Sequence, residues 1–251
     1  MKLLRLLSLL SLFFSLAPYV TADQQDKKSI KALIVTGGCC HNYHFQTGAI
    51  TEVISKVSDV NWTVLHEGGI GKEYQSSLYD DPNWAKPFDI VIHNECFAKV
   101  TDETFVNKVV AGHRETGIPG MVIHCAMHTY REVNADGWRE FQGVTSIKHE
   151  HKSNYPVKVV KPKHPVMKGM PSDWVTPKDE LYIIQKLWPH ATVLAISVSE
   201  RDGREHPVIW VNEYFGTRVF GTTYGHADET FADPVFMNLL VQGFLWAVGK
   251  D

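Results

Sequence analysis

The chain has 251 residues, 44% of them hydrophobic and 21% charged, with a formal net charge of −3. That length and apolar content suffice for one substantial α/β core, and the composition is ordinary for a globular protein. No basic stripe or run of like charge occurs, which excludes the electrostatic footprint of a nucleic-acid binder; the unusual feature is 13 histidines, the residue of metal ligation and near-neutral proton transfer.

Residues 1–22 have the pattern of a signal peptide: Lys2 and Arg5 at the start, an apolar stretch from Leu6 to Leu16, and the small-residue sequence Val20-Thr-Ala22. The apolar stretch is too short for a membrane span. The expectation is an exported protein, periplasmic or extracellular, cleaved near Ala22, with 23–251 as a single domain. Export permits disulfides. The cysteines, Cys39, Cys40, Cys96 and Cys125, do not form a disulfide framework by spacing, and no CxxC of a zinc site is present. Cys96 and Cys125 follow neighbouring strands and are expected as buried, inert thiols. Cys39 and Cys40 are compatible with either a vicinal disulfide or free thiols.

Ile30 to Thr36 reads as the first buried strand, and Gly37-Gly38 permits a tight strand-to-helix turn. The pair lacks the spacing of a phosphate loop. A helix is expected from about His44 to Val57, with Ile50, Val53, Ile54 and Val57 on one face. Val60 to Leu65 is a second strand. The stretch from His66 to Pro87 is long for a plain connection, as functional loops often are. Phe88 to Asn94 is a third strand, ending in His93, Asn94 and Glu95. A helix with an acidic first turn begins near Thr101 and stops before Gly117. Met121 to Ile123 is a fourth strand, ending in His124 and Cys125. This alternation predicts a parallel, doubly wound sheet, with ligands outside the carboxyl ends of its strands.

After Arg131 the periodicity weakens. A short helix is expected at Trp138 to Phe141. Lys148 to Lys152 reads as a polar loop in which His149 and His151, if extended, face the same side. Tyr155 to Val160, Asp179 to Tyr182 and Thr192 to Val198 read as extended segments, with a turn at Arg201-Asp-Gly203. Pro207 to Val211 and Arg218 to Thr223 pair around Tyr214-Phe-Gly216, and the latter runs into His226 and Asp228. Pro234 opens a final amphipathic helix to about Gly249.

The tail from Pro207 to His226 closely resembles the trehalose-utilisation (ThuA-like) family, as do His164-Pro-Val-Met-Lys-Gly-Met-Pro171, Asp179-Glu-Leu-Tyr182 and Phe244-Leu-Trp-Ala247. The resemblance extends over about 30 to 250. It implies a class I glutamine amidotransferase-like fold: a flavodoxin-like, doubly wound, mostly parallel sheet with helices on both faces. It also implies a role with disaccharides or oxidised (3-keto) sugars. Fold analogy alone does not fix a reaction.

Three readings of one site follow. In the first, His41, His44, His124 and His226, with His149 or His151 able to join, hold a divalent transition metal such as Zn²⁺ or move protons beside a sugar. His124, His226 and Glu180 are the catalytic candidates, and Gly37, Gly38, Asn94, Glu95, Asp179 and Tyr130 would contact substrate. In the second, Cys125, His226 and Asp228 form a cysteine hydrolase, in the chain order that the resembled fold uses. In the third, Trp62, Trp84, Trp138, Trp188 and Tyr130 serve a carbohydrate-binding module without turnover.

Overall fold

The computed structural model describes residues 29–250, so the expected signal peptide lies outside the described residues. Ten strands are described: β1 (Ile30–Gly38), β2 (Val60–Glu67), β3 (Ile90–Cys96), β4 (Gly120–Ile123), β5 (Val144–Ser153), β6 (Lys158–Val159), β7 (Asp179–Leu187), β8 (Thr192–Val198), β9 (Glu205–Tyr214) and β10 (Thr217–Thr222). The helices are α1 (Tyr43–Ser55), α2 (Glu103–Thr116), α3 (Gly137–Gln142), α4 (Asp228–Ala232) and α5 (Pro234–Ala247).

Eight strands form one sheet in the order β2-β1-β3-β4-β10-β9-β8-β6. The pairs from β2 through β10 are parallel, and β9, β8 and β6 extend the sheet antiparallel. The strand order reverses at β1, whose crossovers leave in opposite directions. That opens a crevice at the carboxyl ends of β1 and β3.

Alternate residues of the buried strands feed two cores. Ile34, Ile92 and Ile123 face Ile50 and Ile54 of α1 and Phe236, Leu240 and Phe244 of α5. Leu33, Val35, Val91 and Val122 face Val106 and Val110 of α2 and Trp138 and Phe141 of α3. This is why the first, third and fourth strands read as continuous apolar runs: both faces are covered. Each such aliphatic side chain contributes about 1.5–3 kcal/mol by leaving water. The helix ends follow their sequence signals. Asp102 accepts the Phe105 N–H at 3.1 Å and Asp233 the Val235 N–H at 2.7 Å, while Gly117 closes α2 with φ of 70°.

Two expectations change. Lys148 to Lys152 is not a loop but part of β5, which pairs with β7 in a separate two-stranded sheet. The strand expected over Tyr155 to Val160 shrinks to Lys158–Val159, since Pro156 has no N–H to give a ladder. The stretch from His66 to Pro87 also packs as core, its Tyr79 and Trp84 buried against Phe105 and Val106, while its Lys72 lines a cleft at the sheet edge.

Candidate functional site

β1 delivers its side chains through a turn that only glycine can make. Gly37 and Gly38 have φ of 126° and 90°; a Cβ there would lie 2.1 Å from the Glu67 carbonyl oxygen and 2.4 Å from that of Cys96. Both glycines, expected to contact substrate, allow close strand packing. The turn brings His41 over the end of β4, where His124 itself holds φ of 47°. A left-handed backbone at a non-glycine residue costs about 1–2 kcal/mol, which aims the imidazole back across the sheet edge. In the loop that follows β10, Gly225 leads into His226, which stands opposite.

The three imidazoles converge. His124 Nε2 is 3.1 Å from His41 Nε2, and His41 Nε2 is 3.1 Å from His226 Nδ1. One ligand atom from each lies within 4.8 Å of the others. His124 Nδ1–H donates to the Thr223 carbonyl at 2.6 Å, which leaves its Nε2 as an acceptor. Tyr43 Oη lies 3.1 Å from the Cys39 carbonyl and 3.2 Å from His41 Nδ1. Where its O–H donates to Cys39, its oxygen accepts from His41 Nδ1–H, and both Nε2 atoms then present lone pairs to each other. Two apposed acceptors are unfavourable without a proton or a cation to share. Burial, together with the nearby His226 charge, lowers the His41 pKa to about 4, and burial pushes His124 well below the ordinary range. Neutral imidazole is the form that binds metal.

Glu180 completes the cluster from β7. Its Oε2 lies 3.2 Å from His226 Nδ1, 3.3 Å from His149 Nδ1 and 3.8 Å from His124 Nε2. Burial alone would raise its pKa, but the His226 hydrogen bond and the His149 charge outweigh burial and hold it low, so it is a carboxylate. Asp179, expected to touch substrate, is fully buried. It accepts the N–H groups of Gly225 (2.8 Å) and His226 (3.3 Å) and the Thr230 hydroxyl (2.8 Å), fixing the loop that carries His226. Burial raises its pKa to about 6 against the pull of these bonds.

The cluster opens into a cleft of about 270 Å³ that also includes Tyr182, His128 and Arg131. Tyr182 Oη is 3.4 Å from His124 Nε2, and its ring stacks on His128 at 4.0 Å. Neither residue is among those the sequence pointed to, although Tyr182 closes Asp179-Glu-Leu-Tyr182 and His128 lies four residues after His124.

Other expected site residues fall elsewhere. His44 is exposed on α1 against His66, with ring centroids 4.2 Å apart. His149 joins the site through Glu180, but His151 pairs with Glu200 at 2.9 Å. Register shifts in the β5–β7 ladder on both sides of His149 break the alternation that would have put the two together. Cys125 is bonded to Cys96, so it is not a thiolate here, and Asp228 takes the Asn42 amide at 2.8 Å rather than His226. The cysteine-hydrolase constellation is therefore not assembled. All four cysteines are paired, as Cys39–Cys40 and Cys96–Cys125, against the expectation of inert thiols at the latter two. Tyr130, Trp84 and Trp138 are core residues, not sugar platforms.

Asn94 and Glu95 are also buried. Asn94 donates to Gln46, which donates to the Gly225 carbonyl, a second brace on the His226 loop. Glu95 starts a separate network. Burial pushes its carboxyl pKa well up, toward the protonated form, and it lies 3.0 Å from His93 Nδ1; His93 Nε2 meets His113 Nε2 at 3.1 Å, and His113 Nδ1–H donates to the Ile118 carbonyl at 2.7 Å. Here each proton finds an acceptor with every group neutral.

The family model for trehalose utilisation (ThuA) matches residues 31–247. Among solved structures, a ThuA-like protein from Parabacteroides merdae has a TM-score of 0.73 at 19% identity, covering 89% of this chain and 91% of that one. A ThuA-like protein from Bacteroides uniformis has a TM-score of 0.66 at 18% identity, covering 92% and 97%. A protein named for a GMP synthase subunit, from Thermoplasma acidophilum, has a TM-score of 0.52 at 13% identity, covering 89% and 100%, a likeness of fold alone. No curated protein matches. The family match spans nearly all of the described residues, and the chain belongs to the trehalose-utilisation (ThuA) family.

Proposed function

We propose that this trehalose-utilisation family member is an exported enzyme acting on a sugar or sugar derivative, such as a 3-keto-glycoside or disaccharide, at a metal centre of His41, His124 and His226. The observation that carries the reading is the convergence of three imidazoles, with His41 Nε2 lying 3.1 Å from both His124 Nε2 and His226 Nδ1. Such a donor set suits a divalent transition metal such as Zn²⁺, which is bound by neutral imidazole nitrogen at about 2.0–2.1 Å. When bound, the ion would supply Lewis acidity toward a carbonyl or hydroxyl oxygen, or toward water.

The remaining work falls to the chain. Glu180, an anion beside His226, accepts the proton released from a sugar hydroxyl or from water. Tyr182 hydrogen-bonds the oxygen that accumulates charge. Thr223 and Tyr43 orient the rings of His124 and His41, and Asp179 fixes the His226 backbone. Among the described residues no helix is long and apolar enough to cross a membrane, which is compatible with a small-molecule enzyme released after cleavage near Ala22.

The test is a turnover screen of keto-sugars and glycosides with metal-loaded protein, chelated protein and the Glu180→Gln variant. Activity confined to the loaded wild type, with metal retained in Glu180→Gln, supports the assignment. Turnover that survives chelation, or a fully active Glu180→Gln, contradicts it.

A further inference from the structure

Four sulfurs gather at the rim of the same crevice, where no sequence spacing announces a site. Cys39 and Cys40 follow the core of β1, Cys96 ends β3 and Cys125 follows β4. The sulfurs of Cys39, Cys40 and Cys96 lie within 4.8 Å of one another, and Cys125 is one bond from Cys96. Parallel register causes this: Gly38 pairs with Cys96 across β1 and β3. The chain then turns Cys39 and Cys40 over the same edge.

Stabilisation does not account for the vicinal bond. A disulfide constrains the unfolded chain in proportion to the loop that it closes, and Cys39–Cys40 joins adjacent residues. Both residues also line the cleft, together with Cys96 and Cys125. Cys40 is exposed, whereas Cys39, Cys96 and Cys125 are 7%, 2% and 8% exposed, so a reductant has one point of entry.

We propose that these cysteines form a redox-gated thiolate site for a soft d¹⁰ cation, closed as two disulfides and opened when both are reduced. Cys39, Cys40 and Cys96 supply three thiolates, and Cys125 stands next to them for the fourth position. Thiolates select such ions, with Zn–S of about 2.3 Å, which in a tetrahedron sets sulfurs about 3.8 Å apart. The sulfurs of Cys39, Cys40 and Cys96 already lie within 4.8 Å of one another. The site is distinct from the histidine centre, shares no ligand with it, and does not depend on the reading of that centre.

The opening step is balanced with a trialkylphosphine as reductant. The phosphorus attacks one sulfur, and the S–S bond breaks with its electron pair on the other. Water then delivers the oxygen that leaves as phosphine oxide, and two thiols remain per bond. Binding of the cation releases thiol protons to solvent.

The experiment compares oxidised and phosphine-reduced protein, each dialysed against Zn²⁺ and assayed for bound zinc, in wild type and in His124→Ala. Circular dichroism monitors the fold. Reduction should add about one equivalent of zinc in both backgrounds, with the increment lost in Cys40→Ser and in Cys96→Ser. Zinc bound by oxidised wild type reports the histidine centre, and only the increment reports the thiolates. No increment in folded, reduced wild type overturns the proposal. So does an increment that survives in both serine variants, or a chain that unfolds on reduction.

Discussion

Asp179→Asn changes one buried atom, and the structure fixes what that atom faces. Asp179 Oδ2 accepts from Gly225 N–H and from Thr230 Oγ1, both at 2.8 Å, and Oδ1 accepts from Glu180 N–H at 2.8 Å, while His226 N–H lies 3.3 Å from both oxygens. An amide nitrogen at either position would confront one close backbone donor, and His226 N–H keeps the remaining oxygen. At the Oδ2 position the new amide gains an acceptor, because Thr230 can donate to the Pro177 carbonyl, 2.9 Å away, and accept from the new amide. The variant should adopt the second arrangement, leaving the buried Gly225 N–H unpaired. That loses charge-assisted bonds worth about 1.5–3 kcal/mol and strands one donor, for a total of about 2–4 kcal/mol. Gly225 leads directly into His226, so zinc affinity should fall about 10–100-fold, the usual cost of losing a residue that orients a ligand. Urea unfolding of the metal-free protein reads the first effect, and competitive zinc titration reads the second. A variant within about 0.5 kcal/mol of wild type with unchanged zinc affinity would refute the role given to Asp179.

Tyr182→Phe removes a hydroxyl 3.4 Å from His124 Nε2 while keeping the ring stacked on His128. Turnover should drop about tenfold or more with bound metal and fold unchanged; equal kcat removes Tyr182 from the chemistry. Gly38→Ala meets the Cys96 carbonyl oxygen at 2.4 Å with φ of 90°, whereas Gly203→Ala has open space at φ of 71°. The first should cost several kcal/mol in urea unfolding and the second only about 1 kcal/mol, so similar losses would mean that close strand approach is not what selects Gly38. The neutral His93–His113 pair has folded pKa values of about 3, against 6.5 for the free side chain, because of burial. A depressed histidine pKa gives stability that is complete above pH 6.5 and is lost as pH falls toward 3. Between pH 7 and 5 the unfolding free energy should drop by about 2 kcal/mol per histidine. Asp179, raised to about 6, offsets part of this, since its contribution falls as pH rises from 3.8 to 6. Urea midpoints that do not fall between pH 7 and 5 contradict the neutral network.

The fold was legible because its signals are local. Buried parallel strands are apolar throughout, so Ile30 to Thr36 and Phe88 to Asn94 stand out without knowledge of their partners, and Asp102, Gly117 and Pro234 mark helix ends. The strand ends also showed where His41, His124 and His226 would gather. What was not legible depends on orientation and pairing. His44 looks equivalent to His41 in sequence, but the helical turn of α1 carries it outward. His149 and His151 diverge because β5 is irregular, and irregularity of a ladder lies in the pairing rather than in either strand. Cys96 and Cys125 are separated by 29 residues, with a whole helix between them, and meet only because β3 and β4 are adjacent. Glu180 reaches the cluster from a second sheet that the sequence read as loop and extended fragments.

Metal binding by His41, His124 and His226 is the central claim. Elemental analysis of the mature protein, purified without a histidine tag or chelator and kept oxidised, tests it most directly beside a His124→Ala sample. About one equivalent of a transition metal in the wild type, lost from the folded variant, is the predicted result. A folded wild type that carries no metal and takes up none from Zn²⁺ dialysis would contradict the metal centre.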